Sequence, residues 1–234
     1  MSKIQHVFFD LDRTLWDFES NSKCALEQLF EELKLHDHLE SFETFHNTYK
    51  KMNAAWWNQY RKGQVEKEAL RVGRFSDTLK SFEIENDSLA LKLANRYVEV
   101  SPYQTNLFPG TIETLESLKK EQHTLHIITN GFKEVQFIKL QNSQLIHYFD
   151  DVLCSEEVGV NKPDPHVFRS ALQRANAHSD ESLMVGDDFE ADILGAEKCG
   201  IKGVLFDPHD HFQQNSAVRK IRTLEEIHPI VVGL

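Results

Sequence analysis

The stretch HVFFDLDRTLW near the start of the chain constrains the fold most, because an apolar run ends directly in two carboxylates. Val7 to Phe9 do not alternate with polar residues, which is typical of a strand buried on both faces of a parallel sheet. In such sheets, ligands bind beyond the carboxyl ends of the strands. The sequence therefore predicts that Asp10 and Asp12 lie at the edge of the sheet where ligands bind.

The spacing of these two acids favours a cation between or beside them. Asp10 and Asp12 are two residues apart, so in an extended backbone they project the same way, and like charges this close repel unless a cation or a shared proton intervenes. A divalent metal ion would meet that need. An Asp-x-Asp tripeptide also occurs as ordinary turn and capping residues, so the interpretation depends on further partners elsewhere in the chain.

A second apolar run, Leu125 to Ile128, ends in Thr129, Asn130 and Gly131, after which a helix is predicted from about Phe132. A hydroxyl and free backbone N–H groups at a helix N-terminus can bind an anion. The same residues would also serve as an ordinary turn in which Thr129 or Asn130 caps the helix.

A third segment, Val158 to Pro165, contains one lysine between prolines and polar residues. Pro163 and Pro165 restrict the backbone, so Lys162 would be presented as a fixed cation. The alternative is a solvated lysine in a loop.

The fourth segment follows the apolar residues Leu183 to Val185 and is rich in acids. Asp187 and Asp188 come directly after this predicted strand, and Asp192 lies where a helix begins. Acids at a helix start can bind a metal, but they also stabilise the helix without any further function.

Taken in order, the motifs DLDRT, ITNG, the lysine of NKPDP, and GDDFEAD resemble those of the haloacid dehalogenase-like hydrolases over essentially the whole chain. The chain most resembles the YjjG-type pyrimidine or noncanonical 5'-nucleotidases, in ITNGF, SEEVGVNKP and the DxxEADILGA ending. The resemblance implies an α/β fold, with a doubly wound, Rossmann-like parallel-sheet core and an inserted all-helical cap domain.

The resemblance also implies roles for the residues of these motifs. Asp10 would be the nucleophile that forms an aspartyl-phosphate, and Asp12 would protonate the leaving alcohol and later take a proton from water. Lys162, Thr129 and the Asn130 amide would bind the phosphoryl oxygens.

The cofactor implied by the resemblance is Mg2+, which prefers hard oxygen ligands. It would be held by Asp10, the backbone carbonyl of Asp12, and Asp187. Asp188 and Asp192 are candidates for a supporting role around that metal.

The domain organisation follows from a long helix-rich stretch between the first strand and the remaining strands. We expect residues 1–16 and 105–234 to form the core and residues 17–104 to form the cap. The predicted cap helices cover Phe18 to Leu35, Ser41 to Arg61, Val65 to Phe82 and Asp87 to Val100. Trp16 and Phe18, at the first crossing between the domains, are candidates for substrate specificity.

After the cap, helices and strands alternate as in a doubly wound sheet. The predicted strands are Leu125 to Ile128, Asp151 to Cys154, Leu183 to Val185 and Val204 to Phe206. Helices are predicted to begin near Thr111, Phe132, Pro165 and Phe189, and a final helix includes Thr223 to Ile227.

The motifs disfavour some of the other reactions known for this superfamily and leave others open. Dehalogenation needs no general acid, because halide leaves as a stable anion, so Asp12 argues against it. Phosphonate hydrolysis would need a cap lysine that forms a Schiff base, and no cap lysine stands out from ordinary surface lysines. Sugar-phosphate hydrolysis or phosphomutation uses the same core chemistry and stays open. A non-catalytic binding module would be favoured by a missing acid or lysine, and none is missing.

The composition narrows the range of partners. The formal net charge of −11 argues against a nucleic-acid polymer, whereas a small anionic substrate stays possible where the site is locally positive. The family resemblance implies that this substrate is a small phosphorylated molecule. The three cysteines show no CxxC spacing, and no apolar stretch approaches the length of a membrane span. Together with the family resemblance, these features lead us to expect a cytoplasmic Mg2+-dependent phosphomonoesterase, most simply a 5'-nucleotidase. We expect it to be a monomer or homodimer that does not associate with a membrane.

Overall fold

A computed structural model describes residues 3–212 and 218–233 of the chain. The chain divides into two compact units, one made of Met1–Phe18 with Thr105–Leu234 and the other of Glu19–Gln104. None of the helices within these described residues has both the length and the apolar character that crossing a membrane requires.

Four α-helices build the inserted unit, as the helical periodicity predicts. They are α1 (Phe18–Glu32), α2 (Phe42–Arg61), α3 (Lys67–Lys80) and α4 (Asp87–Val100). Ser41 is the N-cap of α2 and accepts a hydrogen bond from the backbone N–H of Thr44, which explains why the helix begins there. α1 ends three residues before the predicted Leu35, because Lys34 adopts a left-handed conformation with φ 51°.

The apolar faces of these helices pack into a core of their own. It contains Phe45, Tyr49, Phe75 and Tyr97, among other buried side chains. The guanidinium of Arg74 is buried here against aromatic rings, 4.8 Å from the centroid of Tyr97. The insertion therefore has the hydrophobic core that an independent unit needs.

The other unit is built on a six-stranded parallel sheet with the strand order β3-β2-β1-β4-β5-β6. The strands are β1 (His6–Phe9), β2 (Thr124–Thr129), β3 (Asp151–Cys154), β4 (Ser182–Gly186), β5 (Lys202–Phe206) and β6 (Arg219–Ile221). The predicted α/β fold with a doubly wound parallel sheet is confirmed. β6 was not predicted, because this short edge strand begins with Arg219 and Lys220 and has no apolar run to mark it.

Helices cover the sheet and connect its strands. They are α5 (Thr111–Lys120), α6 (Lys133–Asn142), α7 (Pro165–Ala175), a π-helical turn (Phe189–Leu194) that continues as α8 (Gly195–Glu197), and α9 (Ile227–Gly233). The final helix begins at Ile227 rather than Thr223, because Thr223 and Glu226 form a capping box around a short 3-10 turn.

β1 lies at the centre of the sheet and is apolar on both faces for that reason. Phe9 is paired with Ile127 of β2 on one side and with Val185 of β4 on the other. Val7 and Phe9 belong to the core on one face of the sheet, and Phe8 to the core on the opposite face. Because the strands are parallel, the carboxyl ends of β1, β2 and β4 lie at the same edge of the sheet.

Two histidines pair across neighbouring strands of this sheet, and one of them, His126, is buried. His126 of β2 lies 3.1 Å from His6 of β1, measured from Nε2 to Nδ1, and its ring stacks on Phe8 at 4.6 Å between centroids. Burial, with a smaller contribution from His6, lowers the pKa of His126 to about 4. The folded protein therefore keeps this imidazole neutral at a pH where an unfolded chain would protonate it.

We predict that His126→Phe makes stability less sensitive to acid. The pKa of His126 is lowered in the folded state, so its contribution to stability is lost as the pH falls from about 6.5 to about 4. Between pH 7.5 and pH 5, the loss in free energy of unfolding, measured in urea, should be smaller in the variant by on the order of 1–2 kcal/mol. The exposed His36→Gln is the control and should behave like the wild type. Equal pH dependence of wild type and His126→Phe would contradict this account.

Candidate active site

A tight turn after β1 fixes the two leading acids at the edge of the sheet. The N–H of Asp10 donates to the carbonyl of Val185 at 2.9 Å, so the pairing with β4 extends one residue past the strand. The carbonyl of Leu11 then accepts the N–H of Trp16 at 2.9 Å, and Arg13 adopts a left-handed φ of 66°. The backbone therefore turns back within a few residues and keeps Asp12 beside the sheet.

Lys162 lies at the centre of the site and is almost fully buried. Its Nζ is 2.7 Å from Asp10 Oδ1 and 2.6 Å from Asp192 Oδ1, and it donates to the carbonyl of Ile128 at 2.7 Å. Burial disfavours the ammonium, but the two carboxylates outweigh it and raise the pKa of Lys162 above its ordinary value. Lys162 therefore stays charged and in contact with the predicted nucleophile.

The side chain of Asn130 fixes the backbone of Lys162. Its Oδ1 accepts the Lys162 N–H at 2.8 Å, and its Nδ2 donates to the Lys162 carbonyl at 3.1 Å. The predicted anion-binding turn is thereby joined to the lysine segment, although Asn130 does so through its side-chain amide. Neither Thr129 nor Asn130 caps α6, since Phe132 occupies the N-cap position.

Three acids form a carboxylate cluster, defined here as Asp10, Asp187 and Asp192. Each offers an oxygen within 4.8 Å of the others, and no other group of three potential ligands was found among residues 3–212 and 218–233. Gly186 permits the close approach of Asp192, because a Cβ there would lie 2.3 Å from Asp192 Oδ2. The acids come from segments predicted to converge, and the structure brings them together.

The electrostatics of the carboxylate cluster fit a divalent cation. Burial raises the pKa of Asp10 to about 7, while Lys162 opposes the rise and Asp192 adds to it. Burial and the negative charge of Asp10 also raise the pKa of Asp187 well above its usual range. Buried carboxylates that repel one another and present hard oxygen atoms suit Mg2+.

The carboxylate of Asp12 is bound by a different element, α6. Lys139 Nζ lies 2.5 Å from Asp12 Oδ1, and Gln136 Nε2 donates to Asp12 Oδ2 at 2.8 Å. We call Gln136 and Lys139 the α6 donor pair. Neither residue is predicted from the sequence, because α6 carries several polar residues and their spacing does not single out Gln136 and Lys139.

Thr129 is linked to the same helix. Its Oγ1 accepts from Gln136 Nε2 at 2.7 Å and from the N–H of Gly131 at 3.1 Å. One buried amide therefore contacts both a predicted phosphate-binding residue and the predicted acid.

The remaining predicted residues have clear structural contacts. Asp188 caps the π-helical turn, because its Oδ1 accepts from the N–H groups of Glu190 and Ala191. Trp16 is buried in the core of its unit, with the Lys139 ammonium 4.2 Å from its ring centroid. Phe18 is partly buried and faces the Arg13 guanidinium at 4.3 Å. A role for Trp16 or Phe18 in substrate choice stays a prediction.

Comparisons with known proteins agree with this architecture. Residues 7–206 match the family model described as haloacid dehalogenase-like hydrolase. The chain is 31% identical over 225 residues to pyrimidine 5'-nucleotidase YjjG of Escherichia coli, covering 96% of this chain and 95% of the relative. It is 33% identical over 204 residues to pyrimidine 5'-nucleotidase PynA of Streptococcus pneumoniae, covering 87% and 84%.

The fold is also similar to that of a solved structure. The HAD-hydrolase YfnB from Bacillus subtilis, in a crystal form bound to magnesium, superposes with a TM-score of 0.88 at 27% identity, covering 98% of this chain and 99% of YfnB. That structure is described as revealing interdomain movement.

We predict that the carboxylate cluster binds Mg2+ and that Asp187→Asn weakens that binding. Without metal, Asp187→Asn should melt at a higher temperature than the wild type, because it removes one of the repelling charges. Added MgCl2 should raise the melting temperature of the wild type by about 2–5 °C and that of the variant by much less. Thermal melts over an MgCl2 titration test this, with the exposed Glu197→Gln on α8 as control. An equal response of all three proteins would show that Mg2+ does not bind at Asp187.

Proposed function

We propose a reaction for this chain, which belongs to the haloacid dehalogenase-like hydrolase family: the Mg2+-dependent hydrolysis of small phosphate monoesters through a covalent intermediate on Asp10. The observation that carries the proposal is the contact of Asp10 with Lys162 beside two further carboxylates. A phosphate ester is anionic and repels a carboxylate nucleophile, so cations must flank the point of attack.

In the proposed first step, an Asp10 carboxylate oxygen attacks phosphorus. A bond forms between that oxygen and phosphorus, the ester P–O bond breaks, and Asp12 gives its proton to the departing alcohol oxygen. In the second step, Asp12 takes a proton from water, the water oxygen bonds to phosphorus, and the bond from Asp10 to phosphorus breaks. Inorganic phosphate leaves, and both acids return to their initial states.

Three groups would offset the charge of the phosphoryl group. Mg2+ bound by Asp10, Asp187 and the backbone carbonyl of Asp12 would supply electrostatic stabilisation of that charge. Lys162 would contact a phosphoryl oxygen, and its ion pair with Asp192 would keep the ammonium oriented when Asp10 is esterified. Thr129, at the carboxyl end of β2, would donate a further hydrogen bond.

The substrates that we propose are nucleoside 5'-monophosphates with pyrimidine or noncanonical bases. This choice is supported by the similarity to two pyrimidine 5'-nucleotidases over most of the chain. Sugar phosphates are the second candidate, because the core chemistry does not depend on the leaving alcohol. Displacement of halide has less support, since it would leave both the carboxylate cluster and Asp12 without a task.

We predict that Asp10→Asn abolishes turnover and covalent phosphorylation. The substitution keeps the shape of the side chain but removes the nucleophile, and Lys162 retains Asp192 as an ion-pair partner. The loss in kcat should reach at least about 1,000-fold. Acid-quenched trapping of phosphoenzyme from labelled substrate, beside a steady-state assay, measures both effects. Phosphoenzyme or substantial turnover in a variant with an unchanged melting temperature would refute the assignment of Asp10.

We predict that, in the presence of Mg2+, the protein hydrolyses UMP or dTMP with a higher kcat/KM than hexose phosphates or halo-acids. Chelation with EDTA should stop turnover and restored Mg2+ should recover it, because the carboxylate cluster would otherwise repel an anionic substrate. A substrate panel with and without EDTA provides the measurement. Preference for hexose phosphates would replace the nucleotidase assignment but keep the phosphatase one, and metal-independent release of halide would overturn both.

A further inference from the structure

The α6 donor pair contacts both oxygens of the Asp12 carboxyl from a single helix. Lys139 reaches Oδ1 at 2.5 Å and Gln136 reaches Oδ2 at 2.8 Å, and both side chains are buried. The two residues are three positions apart on α6, so they project from the same side of the helix. The plane of the carboxyl is thereby fixed relative to β1.

The donor pair is itself held by neighbouring groups. The ammonium of Lys139 lies 4.2 Å from the centroid of Trp16, which places it over the indole ring. The amide of Gln136 is fully buried and also donates to Thr129 Oγ1 at 2.7 Å. Both donors are therefore restricted in orientation before any substrate binds.

Stability alone is a weak reason for burying this lysine. Removing an ammonium and a carboxylate from water costs free energy that their attraction often fails to recover, and an apolar side chain of similar length can pack as well. The terminal torsion of an aspartate is also broad, so a carboxyl without fixed partners would rotate over a wide range. Proton transfer needs a defined direction, and the donor pair supplies it.

We propose that Lys139 and Gln136 are positioning residues that orient the Asp12 carboxyl for proton transfer to the leaving group. This inference rests on the proposed phosphomonoesterase function and on the role of Asp12 in it. Neither donor exchanges a proton in the reaction. In the protonated carboxyl, one oxygen carries the O–H that faces the leaving alcohol, and its lone pair can still accept a hydrogen bond from one of the two donors.

A positioning role and a purely structural role of Lys139 and Gln136 predict different effects on substrates with different leaving groups. An alcohol with a basic oxygen needs a proton as it leaves, whereas a dinitrophenolate leaves readily without one. Misplacing Asp12 should therefore slow the hydrolysis of poor leaving groups much more than that of good ones. A general loss of packing would lower all rates by a similar factor.

The test measures kcat/KM for a series of substituted phenyl phosphates on Lys139→Met. For phenyl phosphate we expect a loss of about 30- to 100-fold, and for 2,4-dinitrophenyl phosphate a loss of less than about threefold. The matched control is Lys133→Met on the same helix, because Lys133 is exposed and pairs with Glu157 instead. That variant should follow the wild type across the series.

A double variant tests whether Lys139 acts through Asp12. Asp12→Asn should make kcat/KM depend more steeply on the leaving group. Adding Lys139→Met to that variant should lower kcat/KM little further, because both changes remove proton donation by Asp12. If Lys139→Met does not fold, as judged by its melting curve, Gln136→Met is measured in its place and should show the same steepening.

The outcomes separate the inference from the proposed function. If the wild type hydrolyses none of the esters, the proposed function fails. In a second outcome, the wild type is active and Asp12→Asn makes kcat/KM depend more steeply on the leaving group, but Lys139→Met and Gln136→Met lower kcat/KM by the same factor for all esters or not at all. That outcome overturns the positioning role and leaves the proposed function in place.

Discussion

The candidate active site depends on one interaction, the contact of the buried Lys162 ammonium with Asp10 and Asp192. Without it, Asp10 and Asp192 would be two desolvated carboxylates at the end of one sheet, and repulsion would drive them apart or protonate them. With it, the acids have a cation between them, and ionisation of all three carboxylates of the cluster against the one ammonium would leave two negative charges. A divalent cation such as the proposed Mg2+ would match that remaining charge.

Two acids that are neighbours in the sequence are divided between two electrostatic environments. Asp10 lies beside Lys162 and two further acids, one directly after β4 and one in the π-helical turn. Asp12 is instead bound by an amide and an ammonium of α6. The tight turn after β1 produces this separation within a few residues. The proposed roles, nucleophile for Asp10 and proton donor for Asp12, are assigned to carboxyls with these different partners.

Much of this fold could be predicted from local signals. The strand Asp151–Cys154 and the helix Asp87–Val100 have the predicted bounds, because an apolar run or a helical period is interrupted sharply at both ends. β6 lacks such a signal, since its stability comes from pairing with β5 rather than from its own residues. The convergence of residues 10, 162 and 187 was also predictable, because parallel strands present their carboxyl ends at one edge.

The burial of the α6 donor pair could not be predicted from the sequence. A helix that covers a sheet is expected to turn apolar side chains inward, yet the buried residues of α6 are Gln136, Lys139 and Leu140. Hydrophobic periodicity therefore gives no warning that Lys139 is buried, because lysine at a helical position is ordinarily solvated. The reason for the inversion lies outside the helix, in the carboxylate of Asp12. A partner that distant in sequence is visible only once the chain has folded. In this chain, the exceptions to the hydrophobic pattern of α6 are the two residues that we propose orient Asp12.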